Sequence, residues 1–152
     1  MKLAEALNLR ADLQRRIASL KERLAKNAKI QEGDIPSEDP NLLLSELDSN
    51  IKELESLIKA INKTNSFTLV DDEESISDMI AKRDALGLKL SVLRDFLSKA
   101  SDKIDRYSNK EIRILSTVNI AEMQKEIDNL SKEYRLIDTR LQGLNWTTDI
   151  IC

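Results

Sequence analysis

Apolar residues return every three and four positions along almost the whole chain, and little interrupts them. Leu3, Ala6, Arg10, Leu13, Ile17, Leu20 and Leu24 form the first such stripe. A stripe with this step lies along one face of an α-helix and has to be covered by another helix. Only three glycines and two prolines punctuate 152 residues, so the chain is committed to long helices. Charged residues make up 34% and aromatics 3%, a balance typical of coiled coils, whose cores are narrow seams rather than thick centres.

The pattern predicts an all-α protein, built as antiparallel long-helix hairpins or a four-helix bundle. It would be a single helical domain over 1–152, with helices at about 2–28, 40–62, 74–100 and 120–145. The stretch QEGDIPSEDP ends the first helix. Ser37 or Asp39 then caps the second, with Pro40 at the first helical position, where its missing N–H costs nothing. The second stripe is Leu43, Leu47, Ile51, Leu54, Ile58 and Ile61. The third helix begins in Asp71–Asp72–Glu73–Glu74, where the helix dipole favours negative charge. Its stripe is Ile76, Met79 or Ile80, Arg83, Leu86, Leu90, Leu93, Leu97 and Ala100, and Ile104 and Tyr107 extend it unless Ser101 breaks it. Asn119 to Glu122 is a capping-box pattern for the fourth helix, which carries Met123, Ile127, Leu130, Tyr134, Ile137, Leu141 and Leu144. Short extended segments are predicted near 67–70 and 111–118, and TTDIIC reads as a tail.

Charge is segregated. Basic residues dominate from Arg10 to Lys29 and acids from Glu32 to Glu55, so the two segments satisfy each other by folding back. The net charge of −3 gives no general attraction to nucleic acid. The opening residues carry charges every few positions, unlike a signal peptide, and no apolar run approaches the roughly 18 to 20 residues that span a bilayer. The expectation is a cytoplasmic protein without stable membrane insertion. Thin stripes favour hairpins that complete their core by self-association.

Much chemistry is excluded. The chain has no histidine, which removes Ser-His-Asp and Cys-His catalysis and the usual zinc sites. Cys152 is the sole cysteine, and Gly33, Gly87 and Gly143 are too scattered for a phosphate loop. No catalytic residue, metal or cofactor is expected. Three features stand out instead. Asn62, Thr64, Asn65 and Ser66 form a polar corner after the second stripe, read first as helix-end caps and second as a binding constellation with Arg83. Arg10 and Arg83 sit inside apolar stripes and need carboxylates from another helix or a wet edge. Trp146 anchors the end of the fourth helix or contacts another subunit.

Several unusual strings recur together: MKLAEAL, RADLQRRI, RLAKNAKIQEGDIPSEDP, ELESLIKAINKTNS, IAKRDAL, RYSNKEI, TVNIAEMQKEIDNLSKEYR and QGLNWTT. In order and spacing the chain resembles a family of small uncharacterised bacterial coiled-coil proteins, some labelled septicolysin-like. The resemblance covers nearly the whole chain and directs attention to QEG, EDP, INKTNS, Arg83–Asp84, Arg106–Tyr107 and NWTT. The chain departs from it after INKTNSFTLV, where DDEESIS stands in place of a glycine-containing turn and a Thr-Leu pair. The label implies a cytolysin, yet no motif in the family carries that activity. The reading is a non-enzymatic helical protein, a homo-oligomeric assembly or interaction module. The alternatives are a membrane-active cytolysin-like protein and a small-ligand or anion binder using the Asn62–Ser66 corner with Arg83.

Overall fold

The computed structural model describes residues 1–102 and 112–152. The chain is all-α, with four helices among the described residues: α1 (Leu3–Lys26), α2 (Pro40–Phe67), α3 (Ile76–Ser101) and α4 (Ile120–Thr147). Expectations resting on residue 111, on Arg106–Tyr107 and on the continuation of α3 through Ile104 lie outside the described residues. Contacts divide the chain into two units, the first made of Met1–Ile76 with Gly143–Cys152 and the second of Ser77–Gln142.

In the first unit α1 and α2 form an antiparallel hairpin. Leu3, Ala6, Leu13 and Leu20 are buried from α1, and Leu43, Leu57 and Ile61 from α2. The expected α2 stripe is shifted by one residue in its middle. Asn50 and Leu57 are buried, while Ile51 and Ile58 are exposed. One step in sequence turns a helical side chain by about 100°, so α2 carried two candidate stripes and the one containing an asparagine is inside. Asn50 is 8% exposed and its Nδ2 has no hydrogen-bond partner among the described residues. A buried donor without an acceptor is costly.

The hairpin loop is held by polar contacts that follow from EDP. Asp39 accepts a hydrogen bond from the Asn41 N–H at 2.9 Å and caps α2, with Pro40 next in line. Asn27 closes α1. Its Nδ2 donates to the Arg23 carbonyl at 2.8 Å and its Oδ1 accepts from the Glu38 N–H at 3.0 Å. Arg23 grips Glu38 at 2.5 Å and reaches Glu46 at 3.7 Å, the predicted fold-back of basic onto acidic sequence. The hydrogen bond from Arg23 holds the Glu38 carboxyl below its ordinary range. Gly33 has φ 92°, the left-handed value that a tight turn closed by the Asp34 N–H on the Gln31 carbonyl demands.

Helix α2 runs five residues past its expected end at Asn62. Ile61 and Thr64 continue its buried face, and the Thr64 hydroxyl donates back to the Ala60 carbonyl at 2.8 Å instead of breaking the helix. The segment after it is extended only briefly. Leu69 makes an isolated bridge to Ser75, and the Ile76 N–H donates to the Thr68 carbonyl at 3.1 Å. No strand forms among the described residues of 112–118.

In the second unit α3 and α4 are antiparallel around Leu90, Leu97 and Ile127, with Leu86, Leu93, Ile120, Met123, Leu130 and Tyr134 packed on them. These are the predicted stripes. A Cβ on Gly87 would approach Tyr134 Cε2 to 3.1 Å, so the glycine is what lets that ring lie against α3. Asn119 caps α4 by accepting from the Glu122 N–H at 3.1 Å.

Replacing Asn50 with leucine removes an unpaired buried donor and fills the same space. Asn50→Leu is expected to stabilise the protein by roughly 1 kcal/mol or more, read as a higher urea midpoint at unchanged slope. A lower midpoint would overturn this expectation.

Candidate functional site

The polar corner predicted from INKTNS is a junction of chain ends. Thr64 is completely buried. Besides its bond to Ala60, its Oγ1 accepts the Ile151 N–H at 2.8 Å. The segment 148–151, which reads from sequence as a tail, therefore docks on α2. It also runs antiparallel to the first residues: the Leu3 N–H donates to the Thr148 carbonyl at 2.9 Å, and the Ile150 N–H to the Met1 carbonyl at 3.0 Å. Lys2 donates to the Thr147 carbonyl at 3.2 Å and pairs with Asp149 at 2.9 Å, while Lys63 donates to the Cys152 carbonyl at 2.6 Å. Asn62 and Ser66 are exposed, and Asn65 is half-buried with an Oδ1 that is shielded and unpartnered among the described residues. Of the four corner residues, Thr64 carries the junction. The signal in sequence was its place on the buried face, three residues after Ile61, together with the apolar pair Ile150–Ile151.

Arg83 belongs to the second unit and is held there by two acids. Its Nη1 contacts Asp138 of α4 at 3.0 Å and its Nε donates to Asp84 at 3.0 Å. Asp138 is the partner from another helix that the stripe position required. Asp84, the next residue in the chain, also reaches the guanidinium. Burial alone would lower the Arg83 pKa; hydrogen bonds to the two carboxylates outweigh it and hold the value above normal. Arg10, the other stripe arginine, is half-buried with no acid paired to it among the described residues. Trp146 is 61% exposed and does not act as a buried anchor.

Sequence reasoning missed a groove between α3 and α4. It has a volume of about 310 Å³ and is lined by Arg94, Ser98, Ser101, Gln124, Asp128 and Ser131 above Leu97 and Ile127. Arg94 donates to the Ser131 hydroxyl at 2.8 Å, and Gln124 to Asp128 at 2.8 Å. Its charges are modest and open to solvent, so it is a polar surface feature without a nucleophile–base pair. Among the described residues, no group of three or more His, Cys, Asp or Glu converges as metal ligands.

The junction yields two expected outcomes. Thr64→Val keeps the shape and removes the acceptor for Ile151, which should cost about 1–3 kcal/mol and speed amide exchange at Ile151 selectively. The second concerns pH. The hydrogen bond from Lys2 and its charge hold the Asp149 carboxyl below the ordinary range. A carboxyl depressed in the fold stabilises the fold above its unfolded value, near ~3.9, and loses that contribution as pH falls through the folded value. The Leu3 and Ile150 amide resonances should therefore be steady from neutral pH down to about 5 and shift below about 4, and Asp149→Asn should abolish the step.

Residues 10–150 match the model of a Family of unknown function (DUF6847). The chain is also similar to a crystal structure described as that of a functionally unknown conserved protein from Corynebacterium diphtheriae, at 38% identity over 99% of each chain and a TM-score of 0.90. No curated protein matches.

Proposed function

The chain belongs to that family of unknown function, and from this footing we propose that it is a non-enzymatic helical module of the cytoplasm that assembles with copies of itself. One observation carries the reading. Helices α2 and α3 keep exposed apolar residues away from their seams. On α3 the outer residues Leu88, Val92 and Phe96 are 69%, 60% and 42% exposed, with exposed Ala81 and Ala85 continuing the same face. On α2 it is Leu44, Ile51 and Ile58. Contiguous apolar faces of this kind mark surfaces that another protein covers. Trp146 stands exposed as well and is a further candidate contact.

The alternatives draw less support. For a ligand site at the corner, Thr64 would have to give up bonds to Ala60 and Ile151, and Arg83 its bonds to Asp84 and Asp138. The septicolysin-like label would imply membrane action, and among the described residues no helix is long and apolar enough to cross a membrane. The net charge of −3 gives no reason to propose nucleic acid as a partner.

Light scattering coupled to size-exclusion chromatography is the test. The mass is expected at twice that of one chain or more in the ~10–100 μM range, where interfaces of modest size are populated. A single-chain mass throughout that range would remove the proposal.

A further inference from the structure

We infer that the outer face of α3 is where two copies meet, and that they pair in parallel. This rests on the self-association proposed above and assigns its surface and direction. Helix α3 is apolar on two sides. Leu86, Leu90, Leu93 and Leu97 close the seam with α4, and Ala81, Ala85, Leu88, Val92 and Phe96 occupy roughly the opposite side. The outer set is spaced four, three, four and four, which is the step of a helix that packs against another helix.

The direction follows from the charges that border this face. At about 100° per residue, Lys82 and Lys89 fall along one edge and Asp84 and Asp95 along the other. An antiparallel two-fold sets like edges together, lysine against lysine and aspartate against aspartate. A parallel two-fold sets unlike edges together, so the face is its own complement. It places Lys89 beside Asp84 of the partner subunit, the five-residue offset at which charges flanking a parallel helical seam meet. Asp84 accepts from Arg83 at Oδ1, and the side chain remains mostly exposed for a second contact. Leu88 and Val92 form the central layers. A parallel pair also brings the same helix ends together, and at this end Phe96 lines a groove of about 480 Å³ with the exposed Ile114 and Leu115. The partner this surface fits is a second copy of the chain.

The test begins with Cys152→Ser, which removes the only thiol. In that background Ala85→Cys and Val92→Cys are made separately and oxidised. Parallel in-register pairing brings each introduced cysteine against its own counterpart, so both variants are expected to form disulfide-linked dimers. An antiparallel pair can do so at one of the two positions at most, because a disulfide needs Cα atoms within about 7 Å. Leu88→Glu, with unchanged circular dichroism, is expected to weaken dimerisation at least tenfold. Lys89→Glu should weaken it at low salt and much less in about 1 M salt, where surface charges are screened. Self-association in which only one variant cross-links, or neither, overturns the parallel pairing while self-association stands. Self-association untouched by Leu88→Glu overturns this face. A protein that never associates overturns both proposals.

Discussion

Each pair of helices is held by a seam one side chain wide, and every other feature is arranged around that constraint. Leu3, Leu13 and Leu20 meet α2 in one hairpin, and Leu90, Leu97 and Ile127 meet in the other. A seam of this kind buries about one residue per turn and is mostly aliphatic, with Tyr134 packed into the second. Its energy comes from many equal contacts, so it tolerates length and resists local damage. It is also poor at fixing register, because every turn resembles the next.

Three polar residues sit inside the seams, satisfied to different degrees. Arg83 is satisfied by Asp138 across the hairpin. Thr64 is satisfied twice, by Ala60 within its helix and by Ile151 from the far end of the chain, which ties both termini to α2. Asn50 is left with a donor unpaired among the described residues, and the seam bears that cost where a leucine would not. A polar residue in a seam commonly trades stability for a unique alignment.

What remains outside the seams carries the functional argument. The sequence has no histidine, and among the described residues no metal ligands converge. The surface offers apolar faces with charged margins. These faces are what the proposed self-association rests on.

The helices themselves were legible in the sequence, because their periodicity, the Asp39–Pro40 start, the Asn119 cap and the Arg23-to-Glu38 attraction are all local or strongly patterned. The stripes of α1, α3 and α4 were legible for the same reason. What periodicity could not decide was α2, where Ile51 and Ile58 compete with Asn50 and Leu57 one step away. The sequence favoured the more apolar set, and packing against α1 buried the other. INKTNS looked like a helix end because its residue types cap helices, and Thr64 is instead an interior residue reserved for a partner 87 residues further along. The tail that supplies this partner carries no periodic signal at all. Local physics therefore determined which segments are helical. Only the tertiary structure decided which face of α2 is inside and what Thr64 of INKTNS bonds to, because both depend on groups that meet across the fold rather than along the chain.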